Sequence, residues 1–260
     1  FYTVQPRDIW SFLTHEPKAA DYKIKRALPL LFELVAVSIL ATLIILAVPP
    51  LLLRNRLPAG PGVRRSLLYF LCIGPGYILV EVALIQKFVL FLGHPTYALT
   101  VIIFSMLIAS GAGSYWSKRI VAGGVGRLRL VLLGISVLVV GVAFAAAMVT
   151  SLGAAWALPL KVAATVFLIA PAGFLMGMPF PVGLSRLELR YPHAVRWAWA
   201  LNAASSVMGS TAAIVLSISF GLRITVLAGA AFYVAALFLA GIGSRDPVPA
   251  IPVKPVPAHA

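Results

Sequence analysis

The chain has 260 residues, of which 61% are hydrophobic and only 11% charged, with a formal net charge of +14. Its apolar residues recur in blocks long enough for a bilayer, whose ~30 Å hydrocarbon core takes about 20 helical residues to cross. This excludes a soluble globular domain. The runs are continuous rather than short and alternating, which favours a helical bundle over a β-barrel.

The basic excess sits mostly at the ends of the apolar blocks, where anionic headgroups lie. No polar surface suited to reading bases accompanies it. The lipid bilayer is therefore the expected partner, and nucleic acid is not.

Apolar blocks cover 27–53, 67–92, 97–116, 128–151, 158–183, 197–222 and 224–243. They predict an all-α fold, a polytopic transmembrane helix bundle of about seven spans over residues 27–243. Residues 1–26 form an arm in which Tyr2, Trp10, Phe12 and Tyr22 mix with Arg7, Lys18, Lys23, Lys25 and Arg26. That mixture suits either a helix lying in the interface or a linker with aromatic anchors. In the first span, Pro49 and Pro50 should kink or stop the helix.

The second span carries Gly74, Pro75 and Gly76, which predict a bend, and Cys72, the single cysteine, which reads as a small packing residue. It also holds Glu81, an acid near mid-span. A carboxylate at that depth must face the bundle interior. It serves either as hydrogen-bonded glue between helices or as a functional proton or ligand site. Tyr77, four residues earlier on the same face, could donate to it. Lys87 lies roughly 240° around the helix from Glu81, nearer the end, where it can snorkel outward.

Gly93, His94 and Pro95 make a tight turn into the third span, with His94 as a capping residue. Ser110 and Ser114 flank Gly111 and Gly113 in that span, and Gly173 and Gly177 form a GxxxG pair in the fifth. Both patterns mark close helix packing. Gly123, Gly124 and Gly126 make a flexible loop before the fourth span. Pro171, Pro179 and Pro181 should distort the second half of the fifth. Trp197 and Trp199 form an interfacial belt at the start of the sixth. There, Ala198, Asn202, Ser206 and Ser210 align at four-residue steps, with Asn202 the most polar. The tail over 244–260 is Pro-rich and reads as extended polyproline II.

Lys and Arg counts set the orientation. The loops around 54–65, 118–129 and 186–196, together with the C-terminal segment, hold thirteen. The arm and the opposite loops hold seven. The positive-inside rule places the first group in the cytoplasm. His15, His94, His193 and His259 lack the spacing of a metal site. No phosphate loop or strand–GxGxxG–helix unit is present. No catalytic residue, metal or cofactor is expected.

Three stretches carry a family resemblance. Residues 76–119, with Glu81 and the Gly-His-Pro-Thr-Tyr run at 93–97, are one. The others are Met-Gly-Met-Pro-Phe-Pro-Val-Gly-Leu at 176–184 and Trp-Ala-Trp-Ala-Leu-Asn-Ala-Ala-Ser-Ser-Val-Met-Gly-Ser at 197–210. Over roughly 67–240 the chain resembles bacterial membrane proteins fused to a spermidine-synthase-like domain. The resemblance implies a multi-pass module of the bacterial inner membrane that forms the C-terminal part of a longer polypeptide, with residues 1–26 as the exit from a Rossmann-like domain. It marks Glu81, Gly93, His94, Pro95, Pro179, Phe180, Pro181, Gly183 and Asn202 as motif positions. Polyamine chemistry is not implied for this chain, which has no counterpart of the family's Gly-rich cofactor loop or catalytic acids. Three functions stand open: a non-catalytic anchor or scaffold, a subunit of a larger assembly of membrane protein chains, or a transporter-like bundle with an intramembrane site at Glu81.

Overall fold

A computed structural model of the chain describes residues 33–44, 60, 62–121 and 124–240. The expected arm over 1–26, the Pro-rich tail over 244–260, Gly123 and most of the first expected span, including Pro49 and Pro50, lie outside the described residues. Those described fold as helices: α1 (Glu33–Ile44), α2 (Val63–Leu92), α3 (Pro95–Ile120), α4 (Val125–Leu152), α5 (Leu158–Met176), α6 (Pro179–Arg190), α7 (Val195–Phe220) and α8 (Leu222–Leu239). A short 3₁₀ turn, Pro192–Ala194, links α6 to α7. No strand occurs among them. Six helical segments are long and apolar enough to cross a membrane, with α5 and α6 forming one of the six and α1 adding a shorter apolar helix. The fold is an all-α polytopic bundle.

α2 is the central helix, packed most extensively on α7 and α8 and also against α3. Its buried residues include Phe70, Leu79, Val80, Leu84 and Phe88. The outer faces are the reverse of a soluble protein's, with Leu90 86% and Phe167 82% exposed. Such a surface is stable only where hydrocarbon is the solvent, since water would expose far more apolar area than a soluble monomer tolerates. Within the bundle, α3 packs on α5, and α4 packs on α8 and α5.

Local chemistry sets the connections. Gly93 ends α2 with φ +85°, a left-handed cap that glycine adopts without a Cβ penalty, and its N–H donates to Val89 O. Pro95 then opens α3, and the His94 ring accepts a hydrogen bond from Thr96 N–H through Nδ1 at 3.2 Å. This side chain satisfies one of the donors that every helix start leaves open. Gly221, at φ +87° and ψ +161°, joins α7 to α8 as a single residue. Only glycine visits that backbone region readily. At the other membrane face, Arg65 Nε donates to Leu239 O at 2.9 Å and its Nη2 to Phe238 O at 2.6 Å. A cation on the carbonyl end of α8 opposes that helix's dipole. It also brings the start of α2 and the end of α8 to one side, as an even number of crossings requires.

The fifth apolar block, expected as one span over 158–183, divides. α5 stops at Met176 and α6 starts at Pro179. Neither Pro179 nor Pro181 has an N–H with which to continue the α5 ladder, so the chain tightens through Met178 N–H→Leu175 O at 3.1 Å and restarts. Pro75 behaves differently. α2 runs through it without ending, because neighbouring helices hold the segment on both sides, as membrane helices allow.

Candidate functional site

The division after α5 faces the middle of α2 and leaves a pocket of about 160 Å³. Ile73, Gly74, Tyr77 and Ile78 of α2 line it together with Met176, Pro179, Phe180, Asn202 and Ser206, and Tyr233 of α8 completes it. Among the residues singled out from the sequence, the structure brings Tyr77, Asn202, Ser206, Pro179 and Phe180 together here. They come from three separate stretches of chain.

An aromatic series fixes the rim. Tyr69, Phe70, Phe180 and Trp199 follow one another edge to face, with centroids 5.3, 5.6 and 4.6 Å apart. The Tyr69 hydroxyl donates to the Pro179 carbonyl at 2.8 Å in a buried bond. This bond clamps the start of α6 to α2. Gly183 is needed beside it, because a Cβ there would come within 2.7 Å of the Tyr69 ring.

Glycine also sets the depth of the pocket. A Cβ on Gly74 would lie 2.6 Å from the Asn202 carbonyl and 2.8 Å from the Ser206 hydroxyl. The Ser205 and Ser206 hydroxyls donate to that same carbonyl at 3.1 and 2.7 Å. α7 therefore satisfies its serines internally, and Ser210 likewise donates to Val207 O. These serines bond within their own helix and not across to α2. Their small size lets α2 and α7 approach instead. The Asn202 side-chain amide makes no hydrogen bond with a described residue, and neither does the Tyr233 hydroxyl. For the buried Tyr233 a polar group left so costs about 1–3 kcal/mol, whereas Asn202 is only half-buried.

Glu81 lies outside this pocket. It is half-buried and makes no hydrogen bond or ion pair with a described residue. The hydrogen bond expected from Tyr77 does not form, and the Tyr77 hydroxyl lies 3.5 Å from Ser110 Oγ on α3. Helical side chains lean toward the N-terminus, so Tyr77 reaches away from residue 81. Lys87 is half-buried nearer the end of α2, also outside the pocket. Gly93, His94 and Pro95 form the α2–α3 turn and take no part in the pocket, nor does Pro181.

The small-residue stripes of α3 and α5 meet each other. A Cβ on Gly177 would overlap the Ser110 backbone, one on Gly113 would overlap the Phe174 carbonyl, and one on Gly173 would sit 3.3 Å from the Ala109 Cβ. Ser114 is half-buried on the same helix and its carbonyl accepts from Ser117. Gly111 faces open space.

Tyr233 was not singled out from the sequence. Its signal is a phenol deep in an apolar span, away from the interfacial belt where tyrosine normally sits. Among the described residues, no group of three or more His, Cys, Asp or Glu side chains comes together. Comparison with family models, curated proteins and solved structures gives no match.

Proposed function

We propose that the chain is a non-catalytic anchor and scaffold module of a multi-pass protein in the bacterial inner membrane, of the spermidine-synthase-like kind. One observation carries this reading. The long helices are locked backbone to backbone, through Gly113 and Gly177 on one side of the bundle and Gly74, Gly209 and Gly229 on the other. Such seams hold a rigid platform, and the family's transferase-like chemistry belongs to a separate domain. The module's work is to place that domain at the membrane face and to hold neighbouring chains.

The test deletes residues 27–243, all of the apolar blocks, from the longer polypeptide. The reading expects the transferase-like domain to move to the soluble fraction with its turnover per molecule unchanged. A folded, released domain that loses turnover would overturn it, as would the lack of any such domain beside the module.

The pocket beside an interrupted helix favours a second, transporter-like reading, since transporters place substrate sites at such interruptions. Glu81, outside that pocket, is poorly placed to serve it. Solute flux in proteoliposomes that Glu81→Gln abolishes would replace the scaffold reading with this one.

A further inference from the structure

We propose that the pocket between α2, α7, α8 and the α5–α6 division binds a small uncharged molecule with a compact apolar body and one amide or hydroxyl head. This stands independently of the scaffold reading. Tyr233 is 1% exposed and lines the pocket, yet its hydroxyl has no hydrogen-bond partner among the described residues. The half-buried Asn202 amide also has no partner among the described residues, and Tyr77 has only the long 3.5 Å contact with Ser110. Buried polar groups are nearly always partnered. An amide with two phenols offers donors and acceptors to a single polar head.

The remaining wall is Ile73, Ile78, Met176 and Phe180. It suits a hydrocarbon body and leaves water without partners over much of the surface. Among the described residues, no Asp, Glu, Lys, Arg or His lines the pocket. An ion would lose its hydration there and meet no counter-charge, which excludes charged ligands. A volume of about 160 Å³ equals about five waters at ~30 Å³ each. A dry apolar cavity of roughly 150 Å³ takes benzene, so there is room for about six heavy atoms.

Three probes of nearly equal shape test this: isobutyramide, isobutyrate and isobutylammonium. Each is titrated in the millimolar range against the full chain in lipid nanodiscs, with Trp fluorescence as the readout, since Trp199 packs on Phe180 at the rim. Thermal unfolding gives a second readout. The expected result is a saturable response to isobutyramide at least fivefold tighter than to either ion. Asn202→Leu should weaken amide binding tenfold or more, and so should Tyr233→Phe, which keeps the ring and hence the packing. Failure of isobutyramide to saturate, an equal response to all three probes, or unchanged binding by both variants would overturn the proposal.

Discussion

Two regions of the bundle are built from the same small residues and end up opposite in character. Along α3 and α5, Gly113 and Gly177 bring backbones together until no side-chain atom fits between them. Gly74 also meets the Asn202 carbonyl closely, yet an open pocket remains beside that contact. The difference comes from what lies across the seam. α3 meets the last turn of α5 and the Gly177 cap that follows it, so glycine meets backbone. Gly74 of α2 likewise meets the Asn202 carbonyl of α7, but beside that contact α2 faces the α5–α6 division, where the pocket opens. Small residues permit close approach in both places, and the pocket opens only beside it, where α5 gives way to α6.

The largest expected effect breaks the tight side. Gly177→Leu drives a side chain into the Ser110 backbone and should cost about 3 kcal/mol or more, at the upper end for overpacking. Gly111→Leu, one residue along α3 but facing open space, should stay within about 0.5 kcal/mol. Thermal unfolding in one detergent measures both. Similar midpoints for the two variants would remove the contrast between a sealed and an open face.

Next in size is the clamp that holds the pocket rim. Tyr69→Phe deletes the buried bond to Pro179 O and should cost about 1–2 kcal/mol, with protease sensitivity appearing first at the α5–α6 division. Arg65→Gln removes the charge from the carbonyl end of α8 and should cost about 0.5–1 kcal/mol, read from the same unfolding curves. The smallest effect belongs to the open side. Asn202→Leu removes an amide with no partner among the described residues and should shift stability by less than about 1 kcal/mol in either direction. A large loss there would mean that the amide holds the helices together.

Much of this architecture is legible in the sequence, because bilayer thickness sets span length directly. The expected block 67–92 corresponds to Val63–Leu92, and 128–151 to Val125–Leu152. The prolines at 179 and 181 announce a distortion, but spacing alone cannot show that the helix ends and restarts. The Gly-His-Pro turn is equally readable, since Gly at a left-handed cap and Pro at a helix start are local chemistry. The site is less so. Glu81 attracts attention because a carboxylate is costly in hydrocarbon, yet the cavity forms elsewhere. Tyr233 hides among apolar neighbours. Which glycine of the pair at 111 and 113 meets a partner depends on helix rotation, a tertiary property that composition does not encode.

Side-specific labelling tests the central claim most directly. With Cys72 replaced by Ala, single cysteines are placed at Gly126 and His193, at Ala154 and Arg223, and at the exposed Leu130 and Phe167. The account predicts that a membrane-impermeant maleimide labels the first pair from one face only, labels the second pair from the other face only, and leaves Leu130→Cys and Phe167→Cys unlabelled from both. Labelling of all six from a single face, or ready aqueous labelling at 130 and 167, would contradict a bundle whose outer surface is solvated by lipid.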